Sequence, residues 1–225
     1  MKLKRVIFTL FIVCGLVVLS YSCFKDNSKN NEVNNIVTNE IHQTVVDYST
    51  NISVEDLEDA VVTATKMVED SVIGVTLKLL STKVVNNTKV TFEDIESVGS
   101  GVIYKRIDNK DQSGKIISYT YYCYTNAHVV LSDNSGNHKV YAFLGNHDVE
   151  IEAKILGYDK SIDLACITFD SYYLINPVEL ADCEKLEKGA FVIAIGNPDG
   201  YDYYGSVTFG VISNLGRYIS FDTDG

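Results

Sequence analysis

The sequence predicts an all-β protein whose antiparallel strands close into barrels. Three observations carry that expectation. β-branched and aromatic runs of strand length recur from Ser71 onward. Turn-forming residues separate them at short intervals, and the alternation of strand and helix that a parallel sheet needs is missing. The composition, 46% hydrophobic with 22% charged, belongs to an ordinary globular chain with room for one large domain or two small ones.

The elements are read in order as follows. Ser53 is placed to cap a helix, with Glu55 and Asp56 in a first turn where the helix dipole favours acids. Val54, Leu57, Val61, Ala64 and Val68 then recur on one helical face. Beyond Asp70 the texture becomes that of strands. These are expected at Ser71 to Leu80, Val98 to Ile107, Ile116 to Tyr124, Lys139 to Leu144, Val149 to Leu156 and Leu164 to Phe169. Three more follow at Ala190 to Ile195, Ser206 to Ser213 and Tyr218 to Phe221. Turns are expected at Asn86-Asn87, Asp108-Asn109-Lys110, Ser135-Gly136-Asn137, Gly145-Asn146 and Asn197-Pro198-Asp199-Gly200. Both prolines, Pro177 and Pro198, fall between strands.

The N-terminus reads differently. Lys2, Lys4 and Arg5 precede an apolar run from Val6 to Ser20, the pattern of an export signal. Two outcomes are open. Val6 to Phe24 as a helix is about 28 Å long, barely enough to stay as a membrane anchor. Alternatively, Leu19-Ser20-Tyr21-Ser22-Cys23 resembles a relaxed bacterial lipoprotein signal, with lipid on Cys23. Both place the remainder on the extracytoplasmic face of a membrane. Residues 25–52, rich in Asn, Ser, Asp and Glu, have little to bury and are expected to be a disordered tether.

Charge and cysteine usage exclude several classes. The net charge is −11, and the chain beyond the basic N-terminal segment carries 16 bases against 30 acids. A nucleic-acid surface needs clustered Lys and Arg, so no nucleic-acid partner is expected. The five cysteines form no CxxC pair, which argues against a zinc site or a disulfide framework. Cys123 and Cys166 read as small apolar strand residues.

Two residues carry chemistry. His128 follows the strand Ile116 to Tyr124, and Asp163 precedes the strand Leu164 to Phe169. A buried carboxylate on imidazole Nδ1 fixes the tautomer and leaves Nε2 free to take a proton from a serine hydroxyl. Alone, each is weak: a histidine beside Val129 and Val130 is more often core, and Asp163 fits an ordinary turn. Their surroundings change the odds. Ser97-Val-Gly-Ser-Gly-Val-Ile103, Tyr124-Thr-Asn-Ala-His-Val-Val130, Ala153-Lys-Ile-Leu-Gly-Tyr-Asp159 and Ile162-Asp-Leu-Ala165 come first. Ala194-Ile-Gly-Asn-Pro198 and Ser206-Val-Thr-Phe-Gly-Val-Ile-Ser213 follow in order. Together these pieces resemble the HtrA/DegP group of trypsin-like serine proteases.

The resemblance implies a chymotrypsin-like double β-barrel, with an N-terminal helix (53–70), a complete first barrel (71–189) and a partial second barrel (190–225), preceded by the signal or anchor segment (1–24). It implies His128 as general base, Asp163 as its orienting carboxylate, Gly99-Ser100-Gly101 as a tight turn, and Gly196 and Asn197 near the substrate cleft. It also implies unfolded polypeptides as substrates, a homo-oligomeric assembly, and neither metal nor cofactor. One departure stands out. The family's Gly-Asn-Ser-Gly-Gly turn, which supplies the nucleophile and oxyanion-hole amides, is not found among these 225 residues, nor is a PDZ module. Ser206, Ser213 and Ser220 read as strand residues instead. The expectation is a serine endopeptidase represented by an incomplete, inactive chain; the alternative is a membrane-tethered pseudo-protease that binds peptides without cutting them.

Overall fold

The computed structural model describes residues 53–217 apart from Asp199, together with the backbone of Val17–Ser20. Cys23, the tether at 25–52 and the strand expected at Tyr218–Phe221 lie outside the described residues, as does most of the N-terminal segment 1–24. Four residues of that segment, Val17–Ser20 (β1), are extended and pair antiparallel with a later strand. They fall within the span Val6 to Phe24 expected as an anchor helix, and are strand there instead. The β-branched Val17 and Val18 suit a strand, and a sheet edge there supplies backbone partners.

The helix α1 covers Val54–Val68. Its start is fixed as expected. The Ser53 hydroxyl accepts from the Asp56 N–H at 3.0 Å, and the Asp56 carboxylate accepts from the Ser53 N–H at 2.8 Å. Those bonds from Ser53, led by its backbone amide, hold the Asp56 carboxyl below its ordinary value. The apolar stripe is only half used. Ala64 and Val68 are buried, whereas Val54 is 84% exposed. The C-terminal half of α1 does the packing, against Ile193, Ile195 and Val178.

Six strands close a barrel: β2 (Val72–Val85), β3 (Thr88–Lys110), β4 (Ile116–Thr125), β5 (Asn137–Leu144), β6 (Val149–Asp159) and β7 (Leu164–Ser171). The order around the barrel is β2-β3-β4-β7-β6-β5, antiparallel throughout. Alternation decides what fills it. Ala165, Ile167 and Phe169 of β7, Tyr121 and Cys123 of β4, and Ile73, Val75 and Leu77 of β2 point inward. A second sheet is formed by β1, β8 (Phe191–Gly196) and β9 (Ser206–Val211) in the order β1-β8-β9. Ile193 and Ile195 of β8 are buried on α1, while Phe191, Phe209 and Val211 remain about half exposed. Ser213 lies beyond β9 rather than in it.

Several boundaries differ from expectation. Asn86 and Asn87 form the expected turn, which is the two-residue loop of a hairpin, both at positive φ. From there β3 begins at Thr88, ten residues earlier than the run Val98 to Ile107 suggests. Glu93, Asp94 and Glu96 disguise it, because this part of the strand faces solvent and its partner is the tail of β2. Asp108-Asn109-Lys110 is strand, not turn; the reversal comes at Asp111, whose carboxylate accepts from Ser113 and Lys115 N–H groups. Gly99-Ser100-Gly101 is also strand, inside β3 and paired with Val75, Gly74 and Ile73. Its glycines serve close approach rather than a bend. A Cβ on Gly101 would meet Cys123 Sγ at 2.6 Å and Val75 Cγ2 at 2.9 Å, and one on Gly99 would meet Val129 Cγ2 at 2.6 Å.

On the outer face of the barrel wall, opposite in parity to Leu77, Lys78 has a side chain only 10% exposed and lies 2.5 Å from Glu150 and 3.4 Å from Glu93. Burial pushes its ammonium pKa down, but the two carboxylates outweigh burial and hold it above the ordinary value. Tyr121 closes one end. Fully buried, it donates its hydroxyl proton to Tyr173 O at 2.7 Å and accepts from Ile175 N–H at 2.8 Å. This pins the segment after β7 across the barrel. Tyr121→Phe is expected to leave both backbone groups unpaired at a cost of about 1–3 kcal/mol, read as a lower urea midpoint with an unchanged slope.

Candidate active site

The site is built where β4 ends. Asn126 caps a single helical turn, α2 (Ala127–Val130), that seats on the barrel through Val129 and Val130, both buried. Gly99 leaves the room Val129 needs. The same packing turns the His128 side chain outward, 60% exposed. Asp163 approaches from the opposite side, at the start of β7. It ends a turn in which its N–H donates to Lys160 O at 3.3 Å, and it sits at φ 51°, a left-handed conformation uncommon for an aspartate.

That conformation aims the carboxylate at α2. Oδ2 lies 2.7 Å from His128 Nδ1, and Oδ1 accepts from the His128 backbone N–H at 2.9 Å. A third donor completes the arrangement. Asn126 Nδ2 donates to Asp163 Oδ2 at 3.0 Å and to the Asp163 carbonyl at 3.2 Å, and Asn126 is only 2% exposed. A carboxylate can only accept, so the shared proton sits on His128 Nδ1. Nε2 is left with its lone pair on the exposed side of the ring, the state that takes a proton from a hydroxyl.

Two loops flank this pair, and each is braced by a carboxylate. Glu96 Oε1 accepts from Ser132 Oγ at 2.6 Å and from Asn134 Nδ2 at 2.5 Å, just after α2. The Ser132 and Asn134 bonds hold the Glu96 carboxyl below its ordinary value. On the other side Asp159 accepts from Ser161 Oγ and N–H, which hold its carboxyl low in the same way.

Gly196 ends β8 and Asn197 follows it, at the entry to the β8–β9 turn. Both are buried, Asn197 to 1% exposure. The Asn197 N–H donates to Ser100 Oγ at 2.6 Å, and its Oδ1 accepts from Gly205 N–H at 2.8 Å. Asn197 thereby ties the β8–β9 turn to β3. Ser100 also accepts at its carbonyl from Thr125 Oγ1, next to Asn126, so one residue joins the second sheet to the end of β4. Neither the Asn126 anchor nor the Ser100 junction follows from sequence motifs; the position of Asn126 two residues before His128 is the signal that could have suggested the first. Ser206 Oγ donates to Tyr203 O and is not bonded to His128. Among the described residues no group of three or more His, Cys, Asp or Glu side chains could hold a metal ion.

Asn126→Ala is expected to cost about 1–3 kcal/mol, because a buried donor to Asp163 is lost. It should also speed hydrogen exchange at the His128 amide, whose acceptor is then free to turn. Unchanged exchange at that amide would show that Asn126 does not position the carboxylate.

Comparison with known proteins agrees with this geometry. The family of the trypsin-like peptidase domain matches residues 99–225, more than half of the chain. A serine protease Do-like HtrA of Lactobacillus helveticus is 36% identical over 124 residues, covering 55% of this chain and 26% of that protein. A serine protease HtrA-like protein of Staphylococcus epidermidis is 31% identical over 166 residues, 72% of this chain and 26% of that protein. One from Staphylococcus aureus is 38% identical over 130 residues, 57% of this chain and 15% of that protein. The chain therefore spans about a quarter or less of the length of the curated relatives it matches. With more than half of its length matched by that family, this chain belongs to the trypsin-like peptidase family, as an HtrA-like serine protease homologue.

Proposed function

We propose that His128 is the general base and Asp163 its orienting carboxylate in a serine endopeptidase of the HtrA kind, acting on unfolded or damaged exported polypeptides. The observation that carries this reading is the 2.7 Å contact between His128 Nδ1 and Asp163 Oδ2, with the ring otherwise open to solvent. In that chemistry Nε2 takes the proton of a serine hydroxyl as it attacks a peptide carbonyl, and then gives it to the leaving amine. Asp163 stays ionised and stabilises the imidazolium between the two steps. No metal or cofactor enters the scheme. Residues 1–24 would attach the protein to the extracytoplasmic face of a membrane, by an uncleaved helix or by lipid on Cys23. Among the described residues no helix is long and apolar enough to cross a bilayer.

The 225 residues hold the base and the carboxylate, but no serine after Asp163 has glycine on both sides. Loss of one triad member lowers turnover by about 10⁴ to 10⁶. The 225-residue polypeptide assayed by itself is therefore expected to hydrolyse neither unfolded casein nor a chromogenic peptide above background. Turnover that disappears in His128→Ala would contradict that expectation. Tight binding of the same peptides without cleavage would favour a pseudo-protease.

A further inference from the structure

A second carboxylate reaches the His128 turn, and the strand that carries it is shaped to aim it there. On β3, Ser97 stands opposite Leu77 and Ile95 opposite Lys78, so Glu96 between them is the extra residue of a β-bulge. A bulge breaks the alternation of the pleat and re-aims a side chain. Here the Glu96 carboxylate turns toward the loop that leaves α2. Its Oε1 takes the Ser132 hydroxyl and the Asn134 amide, and the Asn134 N–H donates to Ser132 Oγ at 3.0 Å. Its Oε2 lies 2.5 Å from Nε2 of His138, at the start of β5.

The contact with His138 fixes a proton. The two side chains are only 21% and 16% exposed, and neither atom has another hydrogen-bond partner among the described residues. Two lone pairs facing one another at that distance, away from water, would repel, so a proton lies between them. The Ser132 and Asn134 bonds favour the ionised form of Glu96. The proton therefore belongs to His138 Nε2, the tautomer opposite to that of His128. Three groups from the loop and from β5 thus converge on one carboxylate of β3.

A helix of four residues has no stability of its own, so the ends of α2 must be held from outside. At its start Asp163 takes the His128 N–H. At its end the Leu131 N–H donates to Ala127 O at 3.0 Å, and the next residue is Ser132. We propose that Glu96 is a positioning residue for His128, fastening the end of α2 as Asp163 fastens its start. Glu96 does not touch the imidazole; it acts through Ser132 and Asn134, and His138 holds its second oxygen in place. The role in catalysis rests on the reading of His128 as general base, whereas the coupling of Glu96 to the His128 ring does not.

The test is NMR of the nitrogen-15-labelled 225-residue chain, read at both imidazoles. In the parent, His138 should carry its proton on Nε2 and His128 on Nδ1. Glu96→Ala should speed exchange of the His128 Nδ1 proton and backbone amide at least tenfold, by releasing the loop. The amides of Cys123 and Ile167, opposite one another in the barrel wall, should stay within about twofold of the parent. Glu96→Gln keeps an oxygen for Ser132 and Asn134 but turns an amide NH₂ toward His138. It should move the His138 proton to Nδ1 and leave exchange at His128 as in the parent. Ser132→Ala combined with Asn134→Ala spares the Glu96–His138 pair and should reproduce the Glu96→Ala effect at His128; it decides the matter if Glu96→Ala does not fold. Unchanged exchange at His128 when the loop bonds are removed, equal acceleration at Cys123 and Ile167, or a parent His138 with its proton on Nδ1 would overturn the proposal. A parent His128 without its Nδ1 proton would overturn the general-base reading itself, and this role with it.

Discussion

The structure turns on one carboxylate. Asp163 receives the His128 backbone N–H, the His128 ring N–H and the Asn126 amide, and these donors come from a single turn of chain. The left-handed backbone at Asp163 is what brings its side chain into that position. A strained conformation of this kind persists only where its surroundings hold it. Here Asn126 grips both the carboxylate and the carbonyl of the same residue. Ring orientation and tautomer then follow from ordinary hydrogen-bond rules.

The barrel exists, in this view, to deliver two strand ends to one place. β4 and β7 are neighbours, paired from Tyr119–Ser171 to Thr125–Ala165. The residues just past the end of one and just before the start of the other must therefore meet. Gly99 and Gly101 let α2 and the core pack closely against β3 at that end. Ser100 carries the connection on to Asn197 and the second sheet. The site is thus coupled to the packing of both sheets through a few short contacts rather than through a long network.

Much of this was legible in the chain. His128 and Asp163 stand out because each sits beside a strand signal within a longer motif, and strand alternation alone places β4 and β7. The parts that escaped share a physical cause. Glycine marks either a turn or a close approach, and Gly99-Ser100-Gly101 is the second, which only the position of Val129 and Cys123 reveals. An exposed ribbon needs no apolar face, so the charged stretch Thr88–Ser97 carries no strand signature. Asn126 carries no sign of its role until Asp163, far along the chain, is seen to fold against it. Asn197 is singled out by resemblance alone, and its bond to Ser100, which joins the end of β8 to β3, has no signal in the sequence.

The central claim is that Asp163 holds the shared proton on Nδ1 of His128 and leaves Nε2 free. Nitrogen-15 chemical shifts of the His128 ring at neutral pH test it directly. The account predicts a protonated Nδ1, slow to exchange, beside a bare Nε2. A ring with its proton on Nε2, the form an unconstrained neutral imidazole favours, would contradict it.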